Sequence, residues 1–140
     1  REAGVDVSVV PGVTSAFAVP AAAGIPVTNR GQSRQVTVLT GHDAVTPDGL
    51  PADVNWRGLA DGRGTLVVLM GVSALPAITA GLLGAGMDPA TPVAIVENGW
   101  APEQRVTAGR IDEIVDLARA REVHSPAVIV IGAVAGHARP

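Results

Sequence analysis

Few residues of this 140-residue chain are of kinds that do chemistry, and those few are set among small residues. Val10-Pro11-Gly12-Val13-Thr14-Ser15-Ala16 reads as a small-residue turn that opens a small-residue helix. Gly24-Ile25-Pro26-Val27-Thr28-Asn29-Arg30-Gly31 follows it closely and reads as a loop carrying Thr28 and Arg30. With few side chains in the way, backbone there can approach a bulky ligand. Three apolar runs also end on small residues, at Met70-Gly71, Glu97-Asn98-Gly99 and Gly132-Ala133. In an open α/β sheet, ligands collect outside the carboxyl ends of the strands. If these three ends are neighbours, they form a cleft with exposed backbone amides and one soft thioether. Such a cleft suits a flat purine and a sulfonium better than a phosphate. Glycine after a strand is also an ordinary turn residue, so the residues alone give a ligand-binding α/β domain.

Other chemistries leave no trace. His42, His124 and His137 have no spacing that points to a metal or a catalytic base, and no nucleophilic triad is visible. There is no HExxH, no P-loop and no GxGxxG after a strand. Cysteine is absent, so there is neither a disulfide framework nor a thiolate metal site. Apolar residues make up 47% and aromatics 2%, so the core must be aliphatic. All ten basic residues are Arg, which reads as compositional bias of the source genome. A net charge of −3 argues against non-specific nucleic-acid binding. No apolar run approaches the roughly 20 residues that span a bilayer, and no signal peptide opens the chain. A cytoplasmic protein is the default expectation.

The elements that must position these residues alternate in type. Val5 to Val10 reads as a strand, and helix is expected from about Thr14 to Ala23 around Pro20. Strands follow at Val36–Leu39, Leu66–Met70, Val93–Val96 and Val128–Ile131, mostly as continuous β-branched runs. Such runs suit strands covered on both faces. Gln104–Gly109 is more polar and reads as an edge strand, paired in a hairpin with the strand before Glu97-Asn98-Gly99. Ser73 can cap a helix in which Leu75, Ile78 and Leu82 share a face, ending at Gly84 or Gly86. Ile111, Ile114, Val115 and Ala118 mark another, with Asp112, Glu113 and Asp116 early and Arg119 and Arg121 late. Asp43–Asp53 reads as a loop. The expectation is one α/β domain with a mixed, mostly five-stranded sheet and flanking helices.

Several ordered blocks carry a more specific signal. They are Pro11-Gly12-Val13-Thr14-Ser15, Gly24-Ile25-Pro26-Val27-Thr28, Arg30, Thr40-Gly41-His42, Met70-Gly71, Pro92 to Gly99, Gln104-Arg105 and Ser125-Pro126. From Val9 to about Val134 the chain resembles the uroporphyrinogen-III C-methyltransferases of the tetrapyrrole methylase family. The resemblance implies S-adenosylmethionine as methyl donor, a tetrapyrrole substrate and a homodimer. No metal is implied, and charge and hydropathy lead to the expectation of no nucleic-acid or membrane partner. The resemblance assigns cofactor contacts to Thr14, Ser15, Met70, Gly99 and, more loosely, Gly132. Arg30 becomes a candidate for a substrate carboxylate, the alternative being a structural ion pair or a loop hydrogen bond. His42 becomes a candidate for lining the substrate cleft, the alternative being a cap or a surface residue. Glu97 and Arg105 are expected to pair across the hairpin, and Trp100 to cover either the cleft or the hairpin.

Two departures stand out. Asn29 occupies a position where the family often has His. The family's first domain, with its Gly-rich loop, its Gly-Asp-Pro segment and its acid/base candidates, has no counterpart here. Residues 1–13 are therefore expected to be the end of that preceding domain and a linker, and residues 14–140 the C-terminal methylase domain. No catalytic residue is assigned in this chain. Another tetrapyrrole methylase, of the cobalamin branch or of the diphthine type, and a non-catalytic dimerisation module are the alternatives.

Overall fold

The computed structural model describes residues 4–42, 54–61 and 63–139. The loop expected over Asp43–Asp53 lies outside these residues. Five strands build one mixed sheet: β1 Val36–Thr40, β2 Thr65–Leu69, β3 Pro92–Glu97, β4 Arg105–Arg110 and β5 Ala127–Ile131. Their spatial order is β1-β2-β5-β3-β4. β1 and β2 are parallel. β5 runs antiparallel to both β2 and β3, and β3 forms the expected antiparallel hairpin with the edge strand β4.

Each apolar strand feeds two cores because its side chains alternate between faces. Leu66, Val68, Val93, Ile95, Ile129 and Ile131 pack on one face with the helices α3 (Leu75–Gly84) and α4 (Ile114–Ala120). The short helix α2 (Trp56–Leu59) lies on the same side. Val67, Ala94, Val96, Val128 and Val130 pack on the other face. There they meet α1 (Ser15–Ala22) and the 3-10 turn Ala133–His137. This double coverage is why the strands read as continuous apolar runs.

Four expectations change. Val5–Val10 is not a strand; Val9 and Val10 are 87% and 89% exposed. Alternating valines supply propensity, but a strand needs a partner edge, and β1 and β4 both end the sheet without this segment. Ser73 does not cap α3, whose N-cap is Ala74 with no side-chain hydrogen bond. Pro76 sits in the first turn instead, where its fixed φ starts the helix and its missing N–H costs nothing. α4 begins at Ile114, so Asp112 and Glu113 precede it. The Glu113 carboxylate accepts from the Arg110 amide at 3.0 Å and closes the turn out of β4. Finally, because β5 is antiparallel, its carboxyl end is not beside those of β2 and β3. In register, Leu69 lies opposite Val128 and Glu97 opposite Ala127, so the start of β5 fills that place.

Candidate functional site

The carboxyl ends of β1, β2 and β3 and the amino end of β5 share one edge of the sheet. α1 begins over this edge because Thr14 is its N-cap, its hydroxyl accepting from the Ala16 amide at 3.2 Å. Between α1 and the strand ends lies a cavity of about 630 Å³. Ser15 and Val19 of α1, Leu69 at the end of β2 with Met70 after it, and Asn98-Gly99 after β3 form its walls. Ser125-Pro126, joined by a cis peptide, and the first residues of β5 form the remainder. The lining is mainly aliphatic, with Ser15, Asn98 and Ser125 as the polar side chains.

Two residues at the mouth hold backbone that L-residues rarely adopt: Met70 has φ 53° and Asn98 φ 49°. Asn tolerates this region; Met does so at a cost of about 1 kcal/mol or more. The Met70 turn leaves its side chain 61% exposed at the cavity, so a thioether faces outward instead of filling the core. Close backbone contact braces the turn. A Cβ on Gly41 would overlap Gly71 Cα and lie 2.8 Å from the Met70 carbonyl oxygen. The Gly41 amide donates to the Leu69 carbonyl at 2.7 Å. Gly99 is likewise held by packing, since a Cβ there would lie 2.6 Å from Val19 Cγ1.

A buried carboxylate ties two walls together. Glu97, 1% exposed, immediately precedes Asn98-Gly99. Its Oε1 accepts from Arg105 Nη2 at 2.6 Å and from the His124 amide at 3.1 Å. Arg105 reaches on to the Glu122 carbonyl at 3.4 Å. The expected Glu97–Arg105 pair thus also fixes the loop that leads into Ser125-Pro126. Trp100 lies over the hairpin and α1 and does not line the cavity: its indole N–H donates to the Ala18 carbonyl at 2.7 Å.

The expected site residues therefore separate. Ser15, Met70 and Gly99 converge on the cavity, and Thr14 holds the helix start beside it. His42 follows Gly41, whose backbone is apposed to Met70-Gly71, and is not among the residues that line the cavity. Gly132 is at the opposite end of the sheet, with φ 128°, where a Cβ would lie 2.8 Å from the Gly64 carbonyl oxygen. Its placement there corrects the expectation of three adjoining carboxyl ends. Arg30 also belongs to that far end. Its loop closes through an Asn29–Ser33 bridge, and Ser33 accepts from the hydroxyl of Thr65, the first residue of β2, at 2.9 Å. Asn98 and Ser125-Pro126 were not assigned roles from sequence. Their signal lay in the antiparallel return of β5, which a linear reading does not carry. No group of His, Asp and Glu suited to a metal occurs among the described residues. No helix of the described residues is long and apolar enough to cross a membrane.

Known proteins match along most of the chain. A Methanosarcina barkeri protein described as an S-adenosyl-L-methionine-dependent uroporphyrinogen III methyltransferase is 45% identical over 128 residues. That alignment covers 91% of this chain and 49% of that protein. A siroheme synthase of Gluconobacter oxydans is 43% identical over 97% of this chain and 28% of its own length. The crystal structure of a Thermus thermophilus uroporphyrin-III C-methyl transferase complexed with S-adenyl homocysteine superposes with a TM-score of 0.75 at 37% identity. It covers 95% of this chain and 53% of that one. The chain thus spans about half the length of the methyltransferases it matches, and less of the siroheme synthase. The profile of the tetrapyrrole (corrin/porphyrin) methylases matches residues 1–115, and the chain belongs to that family.

Proposed function

We propose that this chain supplies the C-terminal half of an S-adenosylmethionine-dependent uroporphyrinogen-III C-methyltransferase. The parent enzyme would place two methyl groups on pyrrole carbons to give precorrin-2, the precursor for sirohaem and cobalamin. The observation that carries the reading is the convergence of Ser15, Met70 and Gly99 on one apolar cavity. Its volume and its few polar groups suit an adenosine-sized ligand. When bound, S-adenosylmethionine supplies an electrophilic methyl group. The residues of this chain would bind and orient. Met70 offers a polarisable surface to an adenosine. Ser15 and Asn98 offer hydrogen bonds at its rim, and the backbone near Gly99 gives close approach. The aliphatic wall of Val19, Val96 and Val128 keeps water from the buried side. Orientation is the main protein contribution to such a transfer. His42 would face the substrate side of this edge. The other half of the cleft, the acid/base groups and the homodimer belong to the same reading.

Calorimetry with S-adenosylhomocysteine tests it. Met70→Ala should weaken binding about tenfold in a protein that comprises both halves, with an unchanged melting temperature. The 140-residue chain should bind more weakly and should not methylate uroporphyrinogen III, since half of the cleft is lacking. Turnover by this chain alone would refute the two-half reading. Unchanged affinity in Met70→Ala would move the cofactor elsewhere. Gly99 is a poorer probe, because any side chain there also displaces Val19.

A further inference from the structure

The clasp behind the cavity is a poor device for stability alone. Side chains alternate along β3, so Val96 lines the cavity and Glu97 points to the other face of the sheet, the side of Ile95. The Glu97 carboxylate is buried, yet all its contacts run through one oxygen. Oε1 accepts from Arg105 and the His124 amide and lies 3.2 Å from His124 Nδ1. Oε2 is buried with no hydrogen-bond partner among the described residues. A buried charge with an unpaired oxygen carries a desolvation cost that an apolar side chain of the same size avoids. What the carboxylate does instead is join segments. Arg105 extends the clasp to the Arg121 and Glu122 carbonyls at 3.5 and 3.4 Å. Glu122 has φ 51°, so the turn out of α4 is strained and is held from the β3–β4 hairpin. Three residues on, Ser125-Pro126 enters the cavity wall, and the Pro126 carbonyl accepts from the Asn98 amide at 3.0 Å.

We propose that Glu97 is a positioning residue for the cofactor. It lines no part of the cavity, but through Arg105 and the His124 amide it sets two adjoining walls, Asn98-Gly99 and Ser125-Pro126. Walls fixed before the ligand arrives spare it the cost of ordering them. The carboxylate therefore acts on ligand affinity more than on the stability of the fold. Identifying the ligand as S-adenosylmethionine rests on the reading under Proposed function; the clasp itself rests on the contacts of Glu97.

The test reads affinity against stability in a protein comprising both halves. Glu97→Met fills a similar volume without the charge, and the half-exposed Arg105 can turn to solvent. Calorimetric affinity for S-adenosylhomocysteine should fall about tenfold, while the melting temperature stays within about 4 °C of the wild type. Glu97→Gln keeps one acceptor oxygen and should recover most of the affinity. Hydrogen exchange at the Asn98 amide, whose acceptor lies on the other wall, should quicken in Glu97→Met; exchange at Ser33, at the far end of the sheet, should not. A carboxylate with a structural role only would move the melting temperature and leave the affinity of the folded protein intact, and that result overturns the proposal. So does unchanged exchange at Asn98. If Glu97→Met does not fold, Arg105→Met on the edge strand breaks the same link, and wild-type affinity and exchange in that variant overturn the proposal. Quickened Asn98 exchange in the variants, with no S-adenosylhomocysteine binding even by the wild type, would keep the clasp and sink the cofactor reading.

Discussion

The two ends of the sheet are built on opposite principles. At the end formed by Met70, Asn98 and Ser125, the strands stop in small residues and left-handed turns around an aliphatic cavity. At the end formed by Asn29, Arg30 and Arg34, side-chain hydrogen bonds fix a polar loop around charge. Backbone strain and close packing shape the first end; a hydrogen-bond network shapes the second. An apolar cavity selects by shape and exclusion of water, whereas a polar loop offers hydrogen bonds and charge that stay in contact with solvent. The comparison teaches that one five-stranded sheet can carry two kinds of surface because its ends are separated by the full length of a strand.

The strongest way to break this comparison is to force apart the strand ends that shape the cavity. Gly41→Ala would drive a methyl group into the Gly71 backbone. Overpacking of this kind costs about 2–3 kcal/mol, which lowers the melting temperature by roughly 8 °C for a domain of this size. A melting temperature within 2 °C of the wild type would show that the ends of β1 and β2 are not so closely apposed. Next, Glu97→Ala leaves the His124 amide and Arg105 without their shared acceptor. The loss should be about 1–3 kcal/mol, read by urea unfolding. Glu97→Gln keeps one acceptor oxygen and should lose less than half as much; equal losses would mean that the carboxylate does not clasp the two walls.

Smaller changes sharpen the comparison. Thr14→Ala removes the cap of α1 and should destabilise by about 1 kcal/mol, with no effect at the Arg30 end. Met70→Gly should do the reverse of an ordinary truncation. Relief of the left-handed turn is worth on the order of 1 kcal/mol, so the melting temperature should hold or rise while S-adenosylhomocysteine affinity falls. A parallel fall in both would make Met70 a packing residue. The smallest expected effect on stability is that of Arg30→Ala with Arg34→Ala, within about 0.5 kcal/mol, since neither enters an ion pair among the described residues. A larger loss would mean that the guanidinium groups hold the loop together.

Much of the molecule was legible in the sequence. Continuous β-branched runs marked Leu66–Met70, Val93–Val96 and Val128–Ile131, because burial on both faces leaves no polar alternation. The polar run after Glu97-Asn98-Gly99 marked the edge strand β4. The residue pattern of the Pro11–Ser15, Met70 and Gly99 blocks pointed to the family and to three residues that do converge. Composition and local spacing could determine these things because burial, helix periodicity and turn chemistry are local constraints on residue type.

Tertiary structure alone decided the rest. The direction of β5 is set by which edge the chain reaches after α4, and nothing in Val128–Ile131 encodes it. That direction moved Gly132 away from the cavity and brought Ser125-Pro126 to it. Val5–Val10 carries strand propensity but has no edge to pair with. Arg30 lies within a few dozen residues of Ser15 and Met70 in sequence, yet β2 holds it at the far end of the sheet. Residue types state which chemistry is possible; the pairing of strands, through hydrogen bonds between distant segments, decides which of those residues meet.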